Sequence, residues 1–552
     1  MNDFGSKIYD AAKKAVKEVY DLEPAEGQLI IETPQDTKLG DYSTSIAMKL
    51  SRTLRRNPME IAEPLTAKLA ELLPECESIT VARPGFINFK LKQSALAAVI
   101  NEVIAAGDDY GKNDSGKDKH MLLEWVSANP TGDLHCGHAR NAAWGDCICR
   151  LMEASGWDVL REFYVNDAGN QIVKLGESLT ARYFEYFGKE YPLPEDGYHA
   201  DDIKEIAAQL AKEEGDKWLT ADPKERLAYF MDYGKKKELE KIDRDLKAYR
   251  VTMQSWMHET FFYENNAKRI NDCLQHMADM GLTYEKDGAL WFKSTDYGDD
   301  KDRVLRKSDG TFSYLTPDIA NHVYKIERGY PLLVNLWGAD HHSYVTRMQN
   351  ALTALGYPEG TLSVDLIQMV RMVEDGKEVK MSKRTGNAIT IRELCEDIGV
   401  DAARWFFVSK DVATHMDLDL KLARSKDNNN PVYYAQYAYS RMCSILRNPQ
   451  IPEFKPVDSY DRLTDEKELQ LLKMISEFPK EVAADALNRK PNKMTEYIIS
   501  LVKVFHSYYN STKVNNPDDP ALTNQRLGLI KATMITLKNA LQLIGVSAPE
   551  TM

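Results

Sequence analysis

From Met121 to Val126 the chain is an apolar strand. It then runs through Ser127-Ala128-Asn129-Pro130-Thr131-Gly132-Asp133-Leu134, where Pro and Gly break regular structure, and enters a long helix-forming segment reaching Ala154. A second apolar strand, Val159 to Val165, follows at once. A strand, a helix and a strand in close succession form a βαβ unit, which requires a parallel sheet covered by helices. The fold class read from this is α/β, with a doubly wound parallel (Rossmann-like) sheet. A ligand of such a sheet lies beyond the carboxyl ends of its strands.

The helix opens on His135-Cys136-Gly137-His138. A helix start carries unpaired N–H groups and partial positive charge, so it attracts phosphate. His135 and His138 are three apart and share a face of the first turn, where both can donate to phosphate oxygens. Gly137 has no Cβ and lets a base or ribose approach the backbone. The same residues could equally be caps that close the helix end, and HxGH alone does not decide between these readings. Downstream, Lys380-Met381-Ser382-Lys383-Arg384-Thr385-Gly386-Asn387 is a basic, Gly-terminated loop that in isolation reads as solvated surface. HxGH followed by KMSKR more than two hundred residues later is hard to obtain by chance. No GxGxxG is present, which disfavours a dinucleotide dehydrogenase.

At 552 residues the chain exceeds what one core can organise, and three or four domains are expected. Residues 1–115 read as an α+β unit, with helices at Lys7 to Tyr20 and Met59 to Leu73 and strands at Ser78 to Val81 and Phe86 to Leu91. The helix through Ser45 to Arg56 carries Lys49, Arg52, Arg55 and Arg56, a solvated face or a contact for an RNA backbone. Gly107 to Gly116 is turn-rich and suits a linker. Residues 116–390 form the α/β unit, with an insertion at about 180–260 where charged helical sequence interrupts the alternation. The sheet is expected to resume at Ala289 to Phe292 and Leu332 to Trp337. A connecting segment spans 391–420. Residues 421–552 show no convincing strand and read as an all-α bundle, with helices at Pro431 to Arg447, Lys467 to Ala484, Asn492 to Tyr509 and Gln525 to Leu543. Its tyrosines are mostly packing residues, with some available to stack on unpaired bases.

Net charge is −13, which argues against a nucleic-acid partner as a bulk property, yet residues 421–552 hold a small excess of Lys and Arg, consistent with local contact to RNA. The seven cysteines include no CxxC pair, so reduced thiols and no structural zinc are expected. There is no run of some 18 apolar residues and no secretion signal at Met1 to Lys7, so a soluble cytoplasmic protein without a membrane partner is expected.

HxGH with KMSKR resembles the signature of class I aminoacyl-tRNA synthetases, and the surrounding residues resemble the arginine-specific branch. The stretches that carry this are Ser127 to Gly132, Tyr164-Val165-Asn166-Asp167-Ala168-Gly169-Asn170-Gln171, Gly338-Ala339-Asp340-His341-His342, Gly40 to Thr44 and Ala548-Pro549-Glu550, so the likeness spans nearly the whole chain. It implies ligation of L-arginine to tRNA(Arg) with ATP, by way of an arginyl-adenylate. It also implies that residues 1–115 touch the tRNA corner, that 391–420 meets its stem and that 421–552 binds the anticodon. On the same grounds tRNA binding precedes amino-acid activation.

Attack of a carboxylate on the α-phosphorus of ATP needs positioning and positive charge more than a protein nucleophile. His135, His138, Lys380 and Lys383 would be the catalytic groups. Gly137, Met381 and Ser382 would complete the ATP site together with Asp340, a ribose acceptor or else a helix N-cap. Mg²⁺ would accompany ATP, held mainly by phosphates and water. A guanidinium is planar and always charged, so its pocket needs fixed carboxylates. The resemblance assigns Tyr314, Asp318 and Glu259 to the guanidinium and Ser127, Asn129 and Glu124 to the α-amino and carboxylate end. A monomer is expected. Two other readings stand beside this one: a different nucleotidyl-transferring enzyme with the same sheet, and an inactive RNA-binding relative.

Overall fold

In a computed structural model that describes residues 4–25, 27–34, 39–199, 201–379 and 388–552, the centre of the molecule is strand β1 (His120–Glu124). The chain leaves it through the Pro130-Thr131-Gly132 turn into helix α1 (Cys136–Ala154) and returns as β2 (Asp158–Val165). Three helices follow, Asn170–Tyr186, Asp201–Glu214 and α2 (Pro223–Ala248), before β3 (Ser255–His258). Then come α3 (Leu315–Glu327), β4 (Leu332–Gly338), α4 (His342–Ala354) and β5 (Leu362–Ile367). All five strands run parallel in the order β5-β4-β1-β2-β3. Chain order reverses between β1 and β4, so the crevice for a ligand opens at the carboxyl ends of those two strands.

Two expectations for this sheet are corrected. Ala289–Phe292 is not one of its strands. It pairs antiparallel with Thr283–Lys286 and Arg303–Arg306 in a separate three-stranded sheet. Asp287 and Gly288, both at positive φ, make the tight turn that joins the first two, and a two-residue turn can only connect antiparallel neighbours. The fifth position is filled instead by Ser255–His258, a strand inside the stretch that sequence assigns to the insertion.

Helix α1 is buried around nearly its whole circumference, including Arg140, Asn141 and Asp146. Trp144 of this helix and Trp125 beside it are both fully buried. Gly145 permits this approach, since a Cβ there would lie 2.5 Å from the Trp125 ring. A charge inside such a helix must be compensated. Asp146 receives Arg150 at 2.6 Å, Arg161 of β2 at 2.7 Å and Arg404 at 2.5 Å. Burial alone would raise the Asp146 carboxyl, but the three guanidinium groups outweigh it and hold it below its ordinary value. Arg404 lies on α5 (Val400–Val408) and also donates to the carbonyls of Tyr249 and Ile544.

The first residues build a four-stranded antiparallel sheet from Ile31–Glu32, Tyr42–Thr44, Phe86–Leu91 and Cys76–Ala82, packed by helices Phe4–Tyr20, Ile46–Leu54 and Pro58–Leu72. The last residues are helical: α6 (Pro431–Leu446), α7 (Glu466–Asn488), α8 (Pro491–Ser511) and α9 (Pro520–Leu543). Between α7 and α8, Arg489 donates to both carboxylate oxygens of Asp365 at 2.9 and 3.1 Å and to Ser363 at 2.7 Å, gripping the edge strand β5. No helix among the described residues is long and apolar enough to cross a membrane.

Replacing Asp146 by Ala leaves three guanidinium groups facing an apolar hole. A loss of about 3–5 kcal/mol is expected, the cost of breaking a buried ion pair from one side. A thermal scan of the purified variant should show a clearly lower Tm, and an unchanged Tm would contradict the role given to this cluster.

Candidate active site

The turn between β1 and α1 is closed by its own histidines. The backbone N–H of Gly137 donates to His135 Nδ1 at 3.1 Å, and the N–H of His135 donates to His138 Nδ1 at 3.2 Å, a reciprocal cap. The rings stack with centroids 3.9 Å apart. A Cβ on residue 137 would sit 2.9 Å from the His135 ring, so only glycine allows that ring to fold back. Burial, and then the neighbouring His135, push His138 down to about 3, and desolvation lowers His135 as well. With each Nδ1 accepting, the proton of each neutral ring is assigned to Nε2. Capping and ligand binding are therefore compatible: the inner nitrogen closes the helix and the outer one is a donor.

Segments distant in sequence meet this turn. Cys136 N–H donates to Ile389 O at 3.0 Å and Ile391 N–H to Leu134 O at 2.8 Å, so residues 389–391 run antiparallel beside the HxGH turn, with Thr390 opposite His135. Lys380, Met381, Ser382 and Lys383 lie outside the described residues, and their downstream neighbours are thus held against His135. Asn141 ties the two central strands, accepting from Val126 N–H at 2.8 Å and donating to Leu336 O at 3.1 Å. Arg140 donates to three carbonyls, of Gln368, Asp411 and Thr414, each at 2.9 Å. Asp340 stands exposed just past the end of β4, with His341 3.6 Å away. It caps neither the short turn it belongs to nor α4, which leaves the acceptor reading and removes the cap.

A cluster of carboxylates and phenols lies across the ends of β1, β2 and β3. Glu259 follows β3 and is buried, and no cation among the described residues pairs with it. Burial, then Asp318 and Asp167, raise its carboxyl to about 8. Asp318, in the first turn of α3, accepts from the Tyr344 hydroxyl at 2.5 Å. Burial pushes it up to about 6, against the Tyr344 bond and Lys325, with Glu124 adding to the rise. Tyr164 is buried with its hydroxyl unpaired, and the charges of Asp318, Glu259 and Glu124 all act on it after burial itself. Asp167 beside them is different. Burial would raise it, but His258 at 2.8 Å, the Thr260 N–H at 3.0 Å and Lys235 at 3.2 Å hold it at about 2.

Two assigned residues have surroundings that the sequence does not signal. Glu124 forms an ion pair with the fully buried Lys325 of α3 and accepts from Ser127 Oγ at 3.3 Å. Glu124, Glu162 and Asn335 are side by side across three strands, and Lys325, Arg328 at 2.6 Å from Glu162, and His322 at 3.0 Å from Asn335 meet that row, with Glu162 Oε1 and Asn335 Oδ1 left without a hydrogen bond. Glu124 is thus paired within the framework while its charge still acts on Asp318 and Tyr164. Tyr314 precedes α3 and is 88% exposed, because Leu315, Thr316 and Pro317 take the buried side of the first turn. Ser127, at φ 40°, accepts from Tyr164 N–H at 3.1 Å, and half-buried Asn129 follows on the same loop. Tyr164 escaped sequence reasoning, although it opens one of the stretches that carry the family resemblance.

Comparison with known proteins bears on this geometry. Three family descriptions match in order: the arginyl tRNA synthetase N-terminal domain over residues 6–91, the catalytic domain of class I tRNA synthetases (R) over 99–419, and the DALR anticodon binding domain over 435–552. The chain is 49% identical over 526 residues to the arginine–tRNA ligase of Bacillus subtilis, covering 95% of this chain and 94% of that protein. It is 50% identical over 527 residues to that of Shouchella clausii, with the same coverage. The crystal structure of a putative arginyl-tRNA synthetase from Campylobacter jejuni superposes with a TM-score of 0.76 at 32% identity, covering 84% of this chain and 100% of that one.

Glu259 makes a signed prediction about stability. Its folded value, about 8, lies above its ordinary 4.5, so the folded protein pays for ionising it. Stability is unaffected below about pH 4.5 and falls as pH rises toward 8. Glu259→Gln should therefore raise the Tm relative to wild type by an amount that grows across this interval and then levels. A constant difference between pH 5 and 9 would show that the group titrates normally.

Proposed function

The chain belongs to the arginine-specific class I aminoacyl-tRNA synthetases and joins L-arginine to tRNA(Arg) at the expense of ATP, and from this premise we infer how its residues divide the work. The observation that supports the inference is that the HxGH turn follows β1 and Glu259 follows β3 at the carboxyl ends of the same parallel sheet, Glu259 being buried with no cation among the described residues paired with it.

ATP lies along the crevice, as its magnesium complex, with its phosphates at the start of α1. His135 and His138 donate through Nε2, and Gly137 keeps the backbone approachable. Asp340 accepts from the ribose hydroxyls. Lys380 and Lys383, with Met381 and Ser382 between them, meet the pyrophosphate as charge builds on it. The pairing of residues 389–391 with the HxGH turn supports bringing them there. Magnesium would accompany ATP, held mainly by the phosphates and water, and would help neutralise charge on the pyrophosphate.

The guanidinium enters between Glu259 and Asp318, close to the Tyr164 hydroxyl. Its two faces of N–H donors match two carboxylates held apart by the ends of β3 and α3. Ser127 and Asn129 receive the α-amino and carboxylate end, orienting it toward the α-phosphorus. Glu124 acts through Ser127, and Tyr314, being exposed, can only cover the pocket from outside. In-line attack by the arginine carboxylate gives the adenylate and pyrophosphate. The terminal ribose hydroxyl of the tRNA then attacks that mixed anhydride and releases AMP. Residues 1–115 meet the tRNA corner, 391–420 its stem and 421–552 its anticodon. The reading is completed by a monomer that works in the cytoplasm.

With radiolabelled amino acids, ATP and total tRNA, arginine alone should be charged, and charging of another amino acid would redirect the pocket. His138→Asn should lower kcat by about 10²-fold, as loss of one transition-state donor does. ATP–pyrophosphate exchange with arginine should require tRNA, and robust exchange without it would refute that order of binding. Because the guanidinium favours ionised carboxyls, KM for arginine should fall as pH rises between about 6 and about 8, the values of Asp318 and Glu259. Glu259→Gln should abolish the upper part of this trend.

A further inference from the structure

Helix α2, from the insertion between β2 and β3, touches both halves of the adenylate site. Its Lys241 is largely buried and lies 3.3 Å from Asp133, 2.6 Å from Asp202 and 2.7 Å from Glu238. Asp133 is two residues before His135, in the turn that opens α1. Four residues after Lys241 on α2, Asp245 meets Arg392 at 3.9 Å, and Arg392 also approaches Asp133 at 3.6 Å. Arg392 belongs to helix Ile391–Ile398, whose entry Thr390 pairs with His135 and exchanges cap hydrogen bonds with Glu393 at 3.0 and 3.1 Å. One helix of the insertion thus engages the HxGH turn through a lysine, and its Asp245 lies within ionic reach of the helix that follows at Ile391–Ile398.

The arrangement has the chemistry of a placement device and not of a tie for the insertion alone. Asp202, on the neighbouring insertion helix Asp201–Glu214, and Glu238, on α2 itself, would together be enough to neutralise one lysine. Asp133 is the third carboxylate around a single ammonium, and it is the one that comes from the catalytic turn. The Asp133 Oδ1 oxygen is buried without a well-aligned hydrogen bond, so its attraction to Lys241 and Arg392 is a matter of distance and charge. Such an interaction is lost when the turn shifts outward. We propose that Lys241, acting through Asp133, is a positioning residue for the adenylate site: it sets the HxGH turn at its distance from the segment that follows KMSKR.

This rests on His135 and His138 being the ATP site, and the test separates the two claims. Steady-state aminoacylation is measured with each substrate varied in turn for Asp133→Asn, Lys241→Met, Lys241→Arg, Asp202→Asn and His138→Asn. Asp133→Asn and Lys241→Met should raise KM for ATP by about tenfold, the scale of a displaced positioning contact, and leave KM for arginine unchanged. Lys241→Arg should restore ATP binding, and Asp202→Asn, which does not reach the turn, should keep wild-type ATP kinetics while lowering Tm. A purely structural role would lower the amount of active enzyme, and hence kcat, without moving KM for ATP. Wild-type KM for ATP in Asp133→Asn, or an equal rise for arginine, overturns the positioning role. Wild-type ATP kinetics in His138→Asn overturns the site itself. Should Lys241→Met fail to fold, Asp133→Asn keeps the lysine and decides alone.

Discussion

The burial of α1 is the constraint from which the rest follows. The helix that opens on the HxGH turn is enclosed along nearly its whole length, so any polar group it carries has to be answered by another part of the chain. Asp146 draws arginines from α1, β2 and α5, and the last of these also holds the carbonyl of Ile544 after α9. Arg140 and Asn141 do the same near the first turn, against the segments after β5 and the end of β4. The sheet, the connecting segment and the helical bundle are therefore fastened to the same element that opens on the histidines.

Much of this was legible in the residues because local pattern and family stretches agreed. The βαβ unit, the helical C-terminal part and the HxGH turn stand where periodicity and breakers put them. What was not legible depends on distant partners. Ala289–Phe292 has the composition of a sheet strand, yet the Asp287-Gly288 turn commits it to an antiparallel neighbour. Ser255–His258 is too short and too plain to announce itself, and only its place beside β2 makes it a strand. The pairing of Glu124 with Lys325, 201 residues away, turns a candidate ligand into part of the framework, and nothing near Glu124 in sequence signals it. Tyr164 gains its meaning from three acids gathered from three elements.

The HxGH turn shows why its two sequence readings seemed to compete. A histidine has two ring nitrogens, and a motif scored by residue type counts it once. Each ring spends Nδ1 on the backbone and keeps Nε2, so the closure that preserves the helix end also fixes the direction in which the remaining donor points. The low proton affinity of His138 then means that what it can offer a ligand is a neutral, oriented N–H and not a positive charge.

The contact between Arg489 and β5 carries a consequence beyond joining the bundle to the sheet. A parallel sheet ends in strands with unpaired backbone groups, and a flat exposed margin invites a strand from a neighbouring molecule. Here one margin is occupied by a bidentate guanidinium anchored in the turn between α7 and α8, with Ser363 and Asp365 both engaged. The helical bundle is thereby coupled to the sheet through the side chains of one edge strand, so that its detachment would leave the Asp365 carboxylate without its partner beside that margin.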